Sequence, residues 1–282
     1  MSLAARGNQL YTIFALISIG CFVRIAKPFD RNHTFSILAA ILSFLSKEPA
    51  IILVVLLPLI QALFERPWKL KSRQSLPLFA PYILAAVLYL ALRAAVIDAT
   101  WTIPAWGGGP WRTVLMQAKV FVIYLRLSVW PFLLYGRYPV PYSDPFLYAY
   151  LLANIALIAS VFPALRRGAE GRLYVFAVAW FYFSLAPVSN IIPLPGNMMG
   201  ERFIYFTFAG FFPIIASLAE RTLPRRTIMY AGYLGLIVLI AFLAMDIRRT
   251  GDWKDNASFF SSLVRNNEPY DPVIEVHMAK EE

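Results

Sequence analysis

The sequence predicts an all-α integral membrane protein with eight or nine hydrophobic helices, one of which is interfacial or re-entrant. Three observations lead to this class. Hydrophobic residues make up 59% of the chain and charged residues 15%, whereas soluble domains average about 45–50% apolar and about 25% charged residues. The mean hydropathy is +0.61. The apolar residues are also gathered in runs whose lengths approach the ~20 residues that a spanning helix needs.

The apolar runs divide residues 1–250 into nine candidate helices, which together form one membrane domain. The runs at 34–46 and 49–64 are individually shorter than a span. They form a helical hairpin, helices extended through their polar ends, or a partly re-entrant pair, because about 20 residues are needed to cross the hydrocarbon. The nine runs are 9–24, 34–46, 49–64, 76–96, 113–135, 146–165, 173–188, 202–219 and 227–247.

The positive charge of the chain indicates membrane topology rather than nucleic-acid binding. The formal net charge is +10, but the basic residues lie in short clusters between the apolar runs. Such clusters are typical of the cytoplasmic loops of membrane proteins, and the sequence has no basic and aromatic surface of the nucleic-acid-binding kind. We therefore expect no nucleic acid among the partners. The single cysteine, Cys21, excludes a disulfide within the chain.

The positive-inside rule gives these helices an orientation, because loops rich in Arg and Lys stay in the cytoplasm. Alternating crossings then place Ser46-Lys47-Glu48-Pro49 outside, with the loops 97–112 and 189–201 and the tail after Arg249. The clusters assigned to the cytoplasm are Arg24/Lys27/Arg31, Arg66/Lys69/Lys71/Arg73, Arg166/Arg167/Arg172 and Arg221/Arg225/Arg226.

The run 113–135 does not fit a simple alternation of crossings. A single crossing there would place the basic cluster at 166–172 outside, so the charge rule favours a segment that enters and leaves by the same face. Lys119 and Arg126 are seven residues apart and share a helix face, and Pro131 breaks the helix near its end. We predict that 97–145 forms an external region with an interfacial or re-entrant helix. The alternative is an ordinary span in which Lys119 and Arg126 reach toward water.

The external loop at 189–201 contains the best candidate for an anion site. Its prolines and glycines predict a rigid loop, and Glu201-Arg202 stands at the start of the next helix. The planar guanidinium of arginine can donate two parallel hydrogen bonds to a phosphate. Lys47-Glu48 and Arg137-Tyr138 are predicted on the same face. The alternative is that Glu201 and Arg202 pair with each other or anchor the helix end.

The order of several short motifs resembles integral-membrane glycosyltransferases of the GT-C type. The nearest resemblance is to the transmembrane, tetratricopeptide-repeat-bearing proteins related to protein O-mannosyltransferases, in which a Glu-Arg-Tyr-like motif opens a late helix. Phe203 stands here in place of the tyrosine. The motifs are Arg6-Gly-Asn-Gln-Leu, Ser46-Lys47-Glu48, Tyr124 with Trp130-Pro131 and Tyr138, Asn190 with Pro193, and Glu201-Arg202-Phe203-Ile204-Tyr205.

The resemblance implies a GT-C-like bundle that transfers a sugar from a polyprenyl-phosphate carrier to a protein or glycan acceptor at the non-cytoplasmic face. Both a bacterial inner membrane and the endoplasmic reticulum would fit such an enzyme, and we expect the bacterial inner membrane. The residues expected to shape the phosphate and sugar site are Lys47, Glu48, Arg137, Tyr138, Glu201 and Arg202, with Arg6, Arg126 and Asn190 in supporting positions.

The catalytic base of such an enzyme cannot be assigned to a residue of this chain. The resemblance places it on an aspartate of the first external loop, whereas Arg6 resembles a residue that follows that loop. The sequence has no Asp-x-Asp or Asp-Glu pair, and His33 and His277 do not suggest a metal site. We therefore expect the catalytic loop to be missing and the chain to be inactive by itself. No cofactor is identifiable here, and a divalent metal is expected only in the complete enzyme.

The polar tail, residues 251–282, resembles the first helix and turn that lead into a tetratricopeptide array. Pro269 ends the predicted helix. About three such repeats are needed to bury a continuous core, and the tail contains roughly one. The apolar residues at helical spacing are Trp253, Phe260, Leu263 and Val264.

Two other functions stay open at this point. The missing catalytic loop suggests an inactive membrane scaffold. A transporter or flippase of lipid-linked sugars would be expected to show inverted repeats, and the sequence shows no internal repeat. Among the remaining charges, we expect Arg93 to extend outward to the interface and Asp98 and Asp144 to be turn residues.

Overall fold

A computed structural model describes residues 3–64, 72–96, 106–129, 144–191 and 198–251, together with residues 254, 258 and 261. Over these residues the secondary structure is helical and contains no strand, which confirms the all-α class. The helices are α1 (Leu3–Phe22), α2 (Arg31–Ser46), α3 (Leu53–Leu63), α4 (Ser72–Val96), α5 (Pro110–Val129), α6 (Leu147–Ala159), α7 (Val161–Ala164), α8 (Gly168–Leu185), α9 (Ile204–Thr222) and α10 (Arg225–Thr250). Short 3-10 helices cover Glu48–Ile52, Trp106–Gly108, Ala186–Val188 and Glu201–Phe203.

Three helical stretches of the described residues are long and apolar enough to cross a membrane. They are Leu76–Val96 in α4, Leu147–Ala164 across α6 and α7, and Gly168–Val188, which is α8 with the 3-10 turn after it. Glu48–Leu63 is a shorter apolar helix. The presence of helices suited to a membrane is confirmed, whereas the full set of eight or nine hydrophobic helices stays a prediction.

The turn between α1 and α2 is fixed by a side-chain cap. The carboxylate of Asp30 accepts hydrogen bonds from the backbone N–H groups of His33 at 2.8 Å, Ala26 at 2.7 Å and Lys27 at 3.3 Å. An acidic N-cap satisfies backbone donors that the first turn of a helix leaves unpaired. Phe29 adopts a positive φ of 63° to complete the turn. α1 and α2 therefore pack as an antiparallel hairpin.

The first of two apolar clusters forms between α1, α2, α3, α4 and α8, and the second joins α5, α6, α8 and the start of α9. α8 contributes to both, through Trp180 and Phe181. The indole N–H of Trp180 donates to the Thr207 carbonyl at 3.1 Å. A Cβ placed on Gly210 would lie 2.0 Å from that indole nitrogen, so glycine is required for α8 and α9 to approach this closely.

Several helix termini meet at one end of the bundle, which we call the polar end and define as residues 6–8, 46–48, 93, 188–190 and 198–203. The 3-10 helix that follows α2 contacts the 3-10 helix that follows α8, and α1 contacts the 3-10 helix that precedes α9. Arg24 and Arg172 lie at the opposite ends of α1 and α8. Arg24 and Arg172 are thus at the opposite end of the bundle from Lys47-Glu48.

Candidate anion site at the polar end

The junction Ser46-Lys47-Glu48-Pro49 forms because α2 cannot continue through it. Lys47 is extended, with φ −166° and ψ 146°, and its N–H caps α2 by bonding the Ser43 carbonyl. Pro49 lacks the N–H that would continue the hydrogen bonding of α2, but it fits the first turn of the 3-10 helix Glu48–Ile52, where that N–H has no helical partner. The side chain of Lys47 is half-buried and that of Glu48 is exposed.

Arg6 and Gly7 bring the amino terminus of α1 to the same junction. A Cβ on Gly7 would lie 3.4 Å from the Ser46 carbonyl oxygen and 3.6 Å from Cδ of Lys47. These are ordinary van der Waals distances, so the backbone of α1 at Gly7 lies close beside the end of α2. Arg6, the residue before it, is exposed at this end of the bundle.

Glu48 forms an ion pair with Arg93 near the end of α4. We expected Arg93 to extend outward to the interface, and the structure instead directs its guanidinium to Glu48. The Tyr89 side chain also bonds Arg93. Because both charged side chains are more than a third exposed, at 48% for Glu48 and 35% for Arg93, the pair contributes little stability, about 0–1 kcal/mol. Its main effect is to neutralise Glu48 beside Lys47.

Glu201 and Arg202 lie in the 3-10 turn that opens α9, as the sequence predicts for a helix start. The guanidinium carbon of Arg202 is 5.2 Å from the centroid of the Phe203 ring, so Phe203 provides an aromatic face for the cation. Nε of Arg202 is buried and has no hydrogen-bond partner among the described residues. A buried donor without an acceptor costs about 1–3 kcal/mol.

Lys47 and Arg202 place two positive charges close together. Burial lowers the pKa of Lys47 below its usual value, the positive charge of Arg202 lowers it further, and Glu48 acts in the opposite direction. Partly desolvated like charges oppose each other, and an anion between them would relieve both the repulsion and the unpaired Nε of Arg202. The arrangement is therefore suited to binding a phosphate.

The segment before Arg202 is held by α5. The hydroxyl of Tyr124 donates to the Gly200 carbonyl at 3.2 Å and accepts from the Gly200 N–H at 3.1 Å. Gln117, two turns earlier, donates to the Met198 carbonyl at 3.4 Å. Because residues 117 and 124 are about 10 Å apart along a helix, α5 runs beside this segment for that distance instead of meeting it at one point.

Asn190 has a structural role at the polar end. It adopts a positive φ of 53°, a conformation that asparagine tolerates better than most residues, and its side chain is buried. Its amide nitrogen donates to the Met198 carbonyl at 3.1 Å. Asn190 therefore joins the end of α8 to the segment before Arg202, and its role in a binding site stays a prediction.

Lys119 and Arg126, the two cations predicted to share a face of α5, have different surroundings in the structure. The ammonium of Lys119 pairs with Asp144, before α6, and lies 5.9 Å from the centroid of the Tyr150 ring. The hydrogen bond from Lys119, with a second from the Phe146 N–H, lowers the pKa of Asp144. Arg126 is exposed. Asp144 is thus more than the turn residue that we expected, because it ties the start of α6 to α5.

Arg137 and Tyr138 lie outside the described residues, as do residues 130–143 around them and most of the tail at 251–282. Within the part of the chain that the structure describes, no group of three His, Cys, Asp or Glu side chains could hold a metal ion.

Comparison with known proteins gives no match, whether to protein-family models, to curated proteins or to solved structures. The resemblance to GT-C glycosyltransferases therefore stays a prediction.

The sequence did not identify three contributors to this site: Arg93, Tyr89 and Gln117. Arg93 and Glu48 are 45 residues apart, so no local spacing joins them. The predicted topology places the end of α2 and the end of α4 on the same side of the membrane. It could therefore have indicated that Glu48 and Arg93 lie close together. Tyr124 was part of a motif, but nothing in the sequence assigned its hydroxyl to Gly200.

Proposed function

We propose that this chain is the membrane portion of a GT-C-type glycosyltransferase, and that Lys47 and Arg202 bind the phosphate of a polyprenyl-phosphate sugar. The single observation that carries the proposal is the unpaired, buried Nε of Arg202 beside the repelled ammonium of Lys47. Two cations arranged in this way favour an anion such as a phosphate ester over a neutral ligand.

The chemistry of glycosyl transfer fits such a pair. When the bond between the sugar and the phosphate breaks, negative charge increases on the leaving phosphate, and fixed cations stabilise that charge in the transition state. Glu48 is occupied by Arg93, so we assign it no role as the general base. The resemblance implies an aspartate as the base, and we assign that role to no residue of this chain.

The proposal includes the finer topology. Eight or nine helices would cross or enter the membrane, with the polar end on the non-cytoplasmic side and the basic clusters in the cytoplasm. α5 would be the interfacial helix, because it lies along the segment 198–200 at the polar end over two turns. A bacterial inner membrane is the proposed location, with a protein or glycan as acceptor.

Binding of an isoprenyl monophosphate to the purified full chain in nanodiscs tests the function. We expect Arg202→Ala to weaken binding about tenfold or more, because a hydrogen bond to a charged group contributes about 1.5–3 kcal/mol. Arg24→Ala is the matched control, since Arg24 is an exposed arginine at the opposite end of the bundle. Equal affinities for the wild type and Arg202→Ala would contradict the proposal.

A transfer assay is the second part of the test. The isoprenyl-phosphate sugar is supplied to the full chain together with a separately produced external loop that contains the expected aspartate, taken from a GT-C enzyme, and with a hydroxyl-bearing peptide that accepts the sugar. Release of isoprenyl phosphate that requires Arg202 supports the assignment. Release that is unchanged in Arg202→Ala contradicts the role of this arginine.

A further inference from the structure

A tight turn joins α7 to α8 at the end of the bundle opposite the polar end. Gly168, with a positive φ of 63°, separates the two helices. The N–H of Arg167 donates to the Ala164 carbonyl at 2.9 Å. A Cβ on Gly171 would lie 1.8 Å from that carbonyl oxygen, so glycine is required where α8 passes the end of α7. We call residues 165–167 the α7–α8 tip.

The tip connects two of the three stretches that are suited to crossing a membrane. Leu147–Ala164 ends immediately before it, and Gly168–Val188 begins immediately after it. Because only these three residues lie between the stretches, the tip stays at the surface of the bilayer when both stretches cross. α8 is about 26 Å long at 1.5 Å per residue, and this length separates the tip from the anion site at the polar end.

The tip and the first turn of α8 are positively charged. The stretch 160–176 contains three arginines and a single acid, Glu170. The side chains of Arg166 and Arg167 are exposed, and neither forms an ion pair with another described residue. Glu170 lies in the first turn of α8, where a carboxylate interacts favourably with the helix dipole. The two arginines of the tip are therefore available to an anion from outside the chain.

Exposed apolar side chains lie beside these cations. Phe162 is 70% exposed, and Leu165 within the tip is 51% exposed. The N–H of Leu165 donates to the Val161 carbonyl at 3.0 Å, so the chain is still helical here. Phe162 and Arg166 are four residues apart and share a face. A ring one turn below a cation matches the boundary of a bilayer, where aromatic rings lie at the level of the head groups and arginine reaches toward the phosphates.

Hydroxyl groups hold α8 against the junction of α6 and α7 just below the tip. The hydroxyl oxygens of Ser160 and Tyr174 are 2.5 Å apart. The Ser160 hydroxyl also donates to the Leu157 carbonyl at 2.6 Å. Together with the close approach at Gly171, these bonds fix both helices that carry the tip. The two arginines therefore project from a turn that is already ordered, which reduces the entropy lost when a ligand binds.

The small size of the tip favours a lipid head group over a protein partner. A stable protein interface buries about 800 Å2 on each partner, which is more than three residues can expose. A phosphate requires only the planar fork of one arginine. The charge rule also predicts that this turn lies on the cytoplasmic side, where the leaflet carries anionic lipids.

We propose that the α7–α8 tip binds the head group of an anionic phospholipid. Arg166 and Arg167 lie at the phosphate, and Phe162 lies beside the upper part of the acyl chains. The lipid is distinct from the sugar donor, and the proposal does not rest on the proposed function. Its effect is to fix the depth at which the hairpin of α6, α7 and α8 lies in the bilayer.

Photochemical cross-linking to lipid tests the proposal on the full chain. Phe162 is replaced by p-benzoylphenylalanine, and the protein is placed in nanodiscs that contain phosphatidylcholine and phosphatidylglycerol in a known ratio. Both lipids carry a phosphate, but only phosphatidylglycerol has a net negative charge. We expect phosphatidylglycerol to be about threefold enriched among the cross-linked lipids, because each surface cation attracts anionic lipid. The same label in place of Tyr148, which is 61% exposed at the other end of α6, should report the ratio of the nanodisc.

Arg166→Gln combined with Arg167→Gln should return the lipid ratio at position 162 to that of the nanodisc. Arg225→Gln combined with Arg226→Gln is the matched control, because it removes an exposed pair of adjacent arginines from α10, and it should leave the enrichment intact. The enrichment should also disappear at about 1 M salt, where charges are screened within about 3 Å.

Three results would overturn the proposal. One is a cross-linked lipid ratio at position 162 that equals the nanodisc ratio when both arginines of the tip are present. Another is an equal loss of enrichment in the two double variants. The third is cross-linking to a second copy of the chain in place of lipid, which would indicate that the tip is a protein contact.

Native mass spectrometry of the unlabelled protein keeps the test decisive if the label at position 162 disturbs the fold. The lipids retained after release from the nanodiscs are counted for the wild type and for both double variants. We expect fewer phosphatidylglycerol molecules in the variant of Arg166 and Arg167 than in the other two proteins. Equal retention in all three proteins would overturn the proposal.

Discussion

The hydroxyl of Tyr124 bonds both backbone groups of Gly200, donating to its carbonyl and accepting from its N–H. Tyr124 is 2% exposed, so these bonds form away from bulk water. They fix the backbone two residues before Arg202. The position of the anion site at the start of α9 therefore depends on a side chain from α5.

Tyr124→Phe removes this restraint with little change of shape. We expect the free energy of unfolding to fall by about 1–3 kcal/mol, because two backbone groups lose a buried partner. Phosphate binding should weaken severalfold, since Arg202 is less well positioned. Chemical denaturation and ligand titration measure the two effects. Tyr148→Phe on the exposed surface of α6 is the control, and equal effects of the two substitutions would contradict a positioning role.

The lowered pKa of Lys47 predicts a pH dependence of phosphate binding. The ammonium must be protonated to attract the anion, so affinity should fall as the pH rises through that pKa, at values below those of an ordinary lysine. The second ionisation of a phosphate is complete well below this range, with a pKa near 6. Titrations between about pH 7.5 and pH 10 would show the decrease.

Lys47→Arg is the control for this dependence, because arginine remains charged throughout the range. We expect the phosphate affinity of Lys47→Arg to stay level while that of the wild type declines.

The lowered pKa of Lys47 also has a consequence for the stability of the fold. A lysine with a depressed pKa destabilises the folded state while it is protonated, so this cost should diminish as the pH rises through its folded pKa toward the unfolded value. If phosphate affinity and the free energy of unfolding change with pH in the same way in the wild type and in Lys47→Arg, both expectations are contradicted.

Arg93→Ala tests the role assigned to the Glu48–Arg93 pair. The pair is exposed, so we expect the free energy of unfolding to change by less than about 1 kcal/mol. Phosphate binding should nevertheless weaken severalfold, because Glu48 without its partner adds a negative charge beside Lys47. The double variant Arg93→Ala with Glu48→Gln should recover most of the loss. A loss that persists in the double variant would show that Arg93 acts in another way.

Gly210→Ala tests the close contact of α8 with α9. The added Cβ would meet the Trp180 indole at 2.0 Å. We expect a loss of stability of about 1–3 kcal/mol, as for overpacking in a well-packed core. Gly232→Ala on α10 meets no atom within 4 Å, and it should be neutral or slightly stabilising because alanine favours helix. Thermal unfolding of both variants compares them directly, and similar stabilities would contradict this packing.

Much of the fold follows from the sequence because apolar run length and charge clusters are local signals. Each predicted run overlaps a helix of the structure, and the Pro49 junction ends α2 at the predicted place. The relative placement of Lys47-Glu48 and Arg202 also follows, since alternation of the helices brings both to one end. Arg137 and Tyr138 lie outside the described residues, so their predicted place in the site stays a prediction.

The rest of the site depends on contacts between distant segments. Asp144 looked like a turn residue because its local sequence is a turn, and its pairing with Lys119 arises only when α6 packs on α5. Arg93 pairs with Glu48 for the same reason. The double hydrogen bond of Tyr124 requires a specific register of α5 along the segment 198–200, and no periodicity in the sequence specifies that register.

Nuclear dipolar recoupling between the phosphorus of a bound isoprenyl phosphate and 15N-labelled lysine and arginine side chains tests the anion site most directly. The account predicts dephasing from one lysine Nζ and one arginine guanidinium within a few ångströms of the phosphorus. The lysine signal should vanish in Lys47→Ala and the arginine signal in Arg202→Ala. Dephasing that is absent in the wild type, or that persists in both variants, would contradict the account.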